Sequence, residues 1–188
     1  MSSTSGKAFL RLIKQRHSTY IFSNKKVKQS DIKTIIEAGR LAPSSHNSQC
    51  WEFIVIEKKK TIGALMDTCH YGSFHSNPSA LIAMVLGPLF VDKEEMLIEK
   101  IEEFVKSHRY LNLGFPAMQM LLQAEALGID SCLLSPVIKN ANFILQVPDN
   151  FETILMIGLG YQKKGTKHKH SKRKPLSKIV SYEKFSYL

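Results

Sequence analysis

Closely spaced cysteines are missing from this sequence. Cys50, Cys69 and Cys132 are scattered, with no CxxC and no paired spacing. That excludes a zinc knuckle and a disulfide framework. It suits reduced thiols in a cytoplasmic protein. Long hydrophobic runs are missing too. The longest, "ALIAMVLGPLFV" at 80–91, is too short to span a bilayer, and the first residues show no signal-peptide pattern. The expectation is a soluble, cytoplasmic chain with no membrane partner. There is no GxxxxGK[ST] phosphate loop. "IGLGYQ" at 157–162 has a Gly-x-Gly after an apolar run but lacks the third glycine and a following helix, so it is not a Rossmann fingerprint. Metal-ligand clusters are thin. His168 and His170 sit in a basic stretch without a third ligand, and Cys69, His70 and His75 lack a fourth. No metal is expected. No Ser-His-Asp or Cys-His set stands in a telling local context. An enzyme built this way needs a cofactor to carry its chemistry.

What the sequence does contain is ample core material. Of 188 residues, 44% are hydrophobic and 22% charged, as in ordinary globular domains. One domain over 1–188 is expected. The net charge of +10 is unevenly placed. Residues 163–188 hold nine Lys or Arg and one Glu, a balance of +8, which leaves +2 for the remainder. Such a basic extension suits nucleic acid, an acidic membrane surface or a phosphate-bearing cofactor, and equally a solvated tail. Its aromatics come only at Tyr182, Phe185 and Tyr187, so base stacking has thin support and nucleic acid is the weakest of these partners.

Periodicity predicts the elements. "SGKAFLRLIKQ" puts Phe9, Leu10, Leu12 and Ile13 on roughly one helical face. A second helix follows, with Ser30 as N-cap, Ile32, Ile35, Ile36, Gly39 and Leu41 at helical spacing, and Pro43 ending it. "WEFIVIE" reads as a strand, "TIGALMDTC" as a short helix and "SALIAMVL" as a buried strand. Residues 92–107 predict an amphipathic helix with Met96, Leu97, Ile101, Phe104 and Val105 inward. Residues 109–127 predict a separate, deeply buried helix stopped by Gly128. "IDSCLL", "KNANFILQV" and "ETILMIGLGY" read as strand, short helix and strand. One sheet covered by helices is implied.

Three polar segments border these apolar elements: "RHS" at 16–18, "PSSHNSQ" at 43–49 and "SKRKPL" at 171–176. Guanidinium and hydroxyl groups in the first and last suit a phosphate monoester. Amides and hydroxyls in the middle one suit the edge of a heterocycle. Three unrelated loops would give the same residues. The order "RHS-x-x-x-F", "EAGRLAPSSHNSQCWEFIVI", "QAEALGIDSCLLSPV", "ILMIGLGY" and "KRKPLSKIV" resembles the FMN-dependent nitroreductase family, from about residue 8 to about residue 180. The "APSSxNxQxWxF" element carries most of the resemblance.

The resemblance implies an α+β fold, a mixed β-sheet flanked by helices, in an intertwined homodimer that binds FMN without a covalent link. It implies that NAD(P)H reduces the flavin and that a small acceptor, a nitroaromatic or a quinone, takes the electrons. The chemistry then belongs to the flavin and no side chain is catalytic. By position, Arg16, His17 and Ser18 would hold the phosphate and the flavin edge. Pro43, Ser44, Ser45, Asn47 and Gln49 would come from the partner subunit. Arg173, with Lys172 beside it, would clamp the phosphate. Ser135, following Leu134, would bring its backbone N–H to flavin N5. Four positions depart from the family pattern: Tyr20 and Ser171 replace basic residues, Cys50 replaces a proline, and Pro136 replaces a glycine and removes an N–H. Tyr20 and Pro136 keep a second reading open, a flavin-binding protein with little turnover.

Overall fold

The computed structural model describes residues 3–69, 76–88, 98–166 and 171–185. Expectations for His70 and His75, for His168 and His170, and for the inward face of 92–107 lie outside the described residues.

The helices are α1 (Ser3–Gln15), α2 (Gln29–Arg40), α3 (Lys59–Met66), α4 (Ile98–Ala126) and α5 (Ile138–Leu145). The strands are β1 (Trp51–Ile56), β2 (Ala80–Leu86), β3 (Asp130–Leu134) and β4 (Glu152–Gly160). The sheet order is β1-β2-β4-β3, and all three pairings are antiparallel. A parallel component enters through the bridge of Ser18 to Ser131 on β3. The fold is thus α+β, one sheet with helices on it.

β2 shows why its sequence reads as an unbroken apolar run. All seven of its residues are buried. Successive side chains leave a strand on opposite faces. Ala80, Ile82, Met84 and Leu86 join one core cluster, with Ile35, Leu113 and Met120 from α2 and α4. Leu81 and Ala83 join the other, with Ile62, Leu65 and Ala141 from α3 and α5. A strand covered on both sides cannot alternate polar and apolar residues.

α2 begins at Gln29 with Lys28 at the cap position, so Ser30 is not the N-cap but lies in the first turn. The Lys28 carbonyl takes the first-turn N–H groups of Asp31 and Ile32. Leu41, beyond the helix end, is 62% exposed. Gly39 lets α2 approach α4 closely, since a Cβ there would stand 2.1 Å from Met120 Cε.

α4 is a single helix where two were expected. Nothing at 107–109 breaks the helical backbone, and Arg109 pins the junction: its Nε donates to Gly87 O at 3.2 Å and its guanidinium pairs with Glu152 at 3.1 Å. Pro116 lies inside the helix without ending it. Gly128, at φ +68°, closes it, with Ile129 N–H returning to Ala124 O at 2.9 Å. The deep burial expected of 109–127 is only half correct. Leu113, Ala117, Met120, Leu121 and Ala124 are buried, but Leu111, Phe115 and Met118 are exposed, because the sheet and α2 cover one side of the helix only. No described helix is long and apolar enough to cross a membrane.

Candidate functional site

Residues 16–23 leave α1 and run beside the open edge of β3. The Arg16 N–H still bonds Leu12 O, the last helical contact. Ser18 then pairs with Ser131, and Thr19 N–H donates to Ser131 O at 3.0 Å. Further on, Phe22 bridges Gln162, and Lys163 N–H reaches Ile21 O. The segment is therefore fixed by sheet-type bonds.

Side chains reinforce it. Buried Thr19 donates its hydroxyl to Asp130 Oδ1 at 3.2 Å. Gln162 N–H donates to Asp130 Oδ2 at 2.7 Å. His17 Nδ1 lies 3.0 Å from Gln15 O, so that nitrogen carries a hydrogen. Its Nε2 faces Asp130 Oδ1 at 3.5 Å. One carboxylate thus ties Thr19 to the backbone just after β4, with the His17 ring beside it.

On the outer side of this segment is a cavity of about 370 Å³, lined by Ile13, Lys14, Arg16, His17, Ser18, Tyr20, Ser171 and Arg173. Three fixed cations and two serine hydroxyls line it, and no carboxylate does. Residues 16–20 and 171–173, distant in sequence, converge there. Arg173 is turned by a bond from Nη1 to Ser171 O at 3.3 Å. Lys172 is exposed and does not line the cavity. Two guanidiniums and hydroxyls around a space of this size form a donor set for a multiply charged oxyanion. Ile13 and Lys14 are lining residues that sequence reasoning missed. Their only signal was position, one helical turn before Arg16.

Leu134 and Ser135 lie at the far end of β3 and do not line this cavity. Leu134 is buried and Ser135 exposed. Pro136 bridges Cys69, and Val137 N–H donates to Thr68 O at 2.9 Å, which fixes the turn after β3. Between the two ends, Cys132 is 2% exposed, and burial pushes its thiol up to about 11, against the opposing field of Arg16. The Arg16 charge is thereby felt inside β3. Burial also raises the Cys69 thiol, with a bond to Thr68 acting the other way.

The polar loop at 43–49 has an unusual backbone. His46 and Asn47 have φ 51° and Gln49 has φ 43°, three left-handed residues without a glycine. Such conformations are sparsely populated and cost roughly 1 kcal/mol or more each, so surrounding bonds must hold them. Gln49 N–H donates to Ser44 Oγ at 3.0 Å, and the Gln49 amide donates to both oxygens of Asn47 at 3.2 Å. The Ser45 N–H donates to Oδ1 of Asn112, a fully buried residue of α4, at 3.0 Å. Asn112 was not singled out by sequence. Its signal was an amide flanked by leucines in an apolar helix. None of residues 43–49 lines the cavity at Arg16 and Arg173 of the same chain.

A larger cavity of about 490 Å³ lies beside Phe22, Lys26, Glu57, Lys59, Ile62 and Asn77. It mixes both charge signs, and Glu57 already accepts a bond from Gln29. It draws on none of the three polar segments, so the smaller, uniformly cationic cavity is the stronger candidate. Among the described residues no group of three His, Cys, Asp or Glu is placed to hold a metal ion.

Comparison with known proteins bears on this arrangement. The model of the "Nitroreductase family" matches residues 13–85. A second model, "Putative TM nitroreductase", matches residues 75–186. A Haemophilus influenzae protein named "Putative NAD(P)H nitroreductase" is 30% identical over 165 residues, 70% of this chain and 74% of that protein. The crystal structure of a nitroreductase family protein from Streptococcus pneumoniae superposes with a TM-score of 0.77 at 27% identity, over 93% of this chain and 100% of the other. A structure from Desulfovibrio desulfuricans, described as a "putative nitroreductase in complex with fmn", gives 0.72 at 26% identity, over 95% and 98%. The matches run through both halves of the sequence, across the cavity residues at 16–20 and at 171–173, and the chain belongs to the nitroreductase family.

Proposed function

We propose that this protein is an FMN-dependent NAD(P)H oxidoreductase acting on a nitroaromatic, quinone or similar small acceptor. The observation that carries the reading is the cationic cavity where Arg16, His17, Ser18 and Tyr20 meet Ser171 and Arg173. A phosphate monoester carries up to two negative charges and three acceptor oxygens, and the lining offers donors and no competing acid. The donor set therefore fits the phosphate end of FMN. Support also comes from the related Desulfovibrio desulfuricans structure in complex with FMN, and from the relative named for NAD(P)H.

When bound, FMN supplies a two-electron carrier between NAD(P)H and the acceptor. The residues of this chain bind and orient. Arg16 and Arg173 would hold the phosphate, with the Ser18 hydroxyl as a further donor and Lys172 as a nearby charge. His17, held by Gln15 O, would face the flavin edge together with Tyr20. The backbone N–H of Ser135, after Leu134, is assigned to the neighbourhood of N5.

The loop residues Pro43, Ser44, Ser45, Asn47 and Gln49 would serve the cavity of a second subunit, since they do not reach their own. A homodimer is supported by apolar surface that one chain leaves open. Phe9, Leu12, Ala38, Leu41, Leu122 and Ala126 line a groove of about 350 Å³ between α1, α2 and α4. Leu176, Ile179, Tyr182 and Phe185 of the basic extension are each at least 60% exposed on their own chain. Exposed apolar surface of this extent supports an interaction face.

The test is direct. Purified protein should carry close to one FMN per chain by visible absorption, and should oxidise NAD(P)H when a quinone is added. Protein that is colourless and takes up no FMN on titration would defeat the cofactor reading. Protein that binds FMN stoichiometrically but supports no NAD(P)H oxidation with quinones or nitroaromatics would favour the flavin-binding reading, which Tyr20 and Pro136 motivate.

A further inference from the structure

We infer that Asn112 is a positioning residue for the cofactor, acting from the core of α4 through the loop at 43–49. The inference rests on the reading above, in which that loop meets FMN of the other subunit.

Asn112 is fully buried in a helix whose other fully packed residues, among those described, are Leu113, Met120 and Ala124. A buried amide is retained at a desolvation cost, and that cost is offset only if its bonds are made. Its oxygen accepts the Ser45 N–H at 3.0 Å, and its Nδ2 lies 3.8 Å from Cys50 Sγ. It therefore grips the loop at both ends, just outside the three left-handed residues His46, Asn47 and Gln49. The main-chain bonds from Asn47 N–H to Ser44 O and from Ser48 N–H to Ser45 O shape the turn but do not tie it to the body. The second tie is Cys50 O, which accepts Gly87 N–H at 2.9 Å, while Gly87 O accepts from Arg109, one turn before Asn112. Loop base, sheet end and α4 form one bonded unit.

Pro116 adds to this. It has no N–H for the carbonyl of residue 112, so α4 lacks one helical bond at the residue that holds the loop. The side-chain bonds of Asn112 tie the loop to the helix at that same level. Asn47 presents its amide from a conformation that the unrestrained chain disfavours, and Asn112 keeps it there.

The experiment compares FMN dissociation constants and unfolding midpoints of FMN-free protein for four variants. Asn112→Leu removes both bonds at similar volume and should weaken FMN binding about tenfold, the effect of one lost hydrogen bond. Asn112→Asp keeps an acceptor for Ser45 N–H and should recover most of that affinity. Asn47→Ala should weaken binding directly. In the double variant Asn47→Ala/Asn112→Leu the second change should add little, because Asn112 acts through the loop. A merely structural role would give additive losses, no rescue by Asp, and a fall in the unfolding midpoint that tracks the loss of affinity. Any of these overturns the inference. If Asn47→Ala alone leaves FMN affinity unchanged, the loop contact itself is wrong, and the failure is that of the functional reading. If Asn47→Ala weakens binding while Asn112→Leu does not, the reading stands and the positioning role falls. Should Asn112→Leu not fold, amide hydrogen exchange in the unaltered FMN-free protein decides: Ser45 N–H must be protected, and free exchange at Ser45 overturns the inference.

Discussion

Arg173 and Lys163 carry the same charge in the same basic stretch, yet only Arg173 lines the cavity. A planar guanidinium gives a phosphate two parallel bonds, whereas a distant ammonium adds only a screened field. Arg173→Ala should weaken FMN binding about tenfold to hundredfold and release it during gel filtration. Lys163→Ala should keep its flavin. Equal retention by both would remove Arg173 from the phosphate site. Cys132 makes a second prediction. Its thiol ionises near 9 in an exposed chain and at about 11 in the fold. Between those values the unfolded chain has lost a proton that the folded chain keeps, so raising the pH favours unfolding. Stability should be full below about pH 9 and fall towards pH 11 by at most roughly 2 kcal/mol from this group. In Cys132→Ala that part of the alkaline decline should vanish. Denaturant titrations of both proteins across that range would show it, and parallel curves would refute the assignment.

At the scale of elements, the strands were readable because burial on both sides leaves a continuous apolar run, as in β2. α4 was misread in two ways with separate causes. Its continuity through 107–109 depends on Arg109 reaching Gly87 and Glu152, contacts far away in sequence. Its open face, with Leu111, Phe115 and Met118, looks in sequence like core, because apolar periodicity does not say what covers a face. The site was legible where chemistry is local, as at Arg16 to Ser18, and only through resemblance where two distant segments had to meet. Asn112 was invisible because its role is defined by a partner at residue 45. The open face yields a prediction. A charge there would oppose association but strain nothing within one chain. If the protein is a homodimer that covers this face, Met118→Glu, at a position 42% exposed, should give a folded monomer by sedimentation, with unchanged circular dichroism. A dimer indistinguishable from wild type would move the interface elsewhere.

The whole molecule is where the loop and the cavity have to be reconciled. If each cavity takes its loop from the partner, a mixed dimer separates the two lesions. One chain carries Asn47→Ala and the other Arg173→Ala. One site then collects both changes and the other has neither, so the mixed dimer should retain one tightly bound FMN. Two sites weakened to similar degrees would place Asn47 and Arg173 in the same chain's site. If FMN is held between two subunits, adding it should also raise the unfolding temperature, since it then favours the assembled state by mass action. The convergence of residue 16 and residue 173 on one cavity carries a consequence for biosynthesis and turnover. Arg16 is synthesised long before Arg173, so a ligand held by both cannot be gripped until the sheet and helices between them have been made. If that ligand is FMN, loading follows the synthesis of residue 173. The same geometry makes the cavity wall separable from the core. In the single chain residues 171–185 are exposed throughout, and losing them would strip Ser171 and Arg173 from the cavity wall while both hydrophobic clusters keep every member.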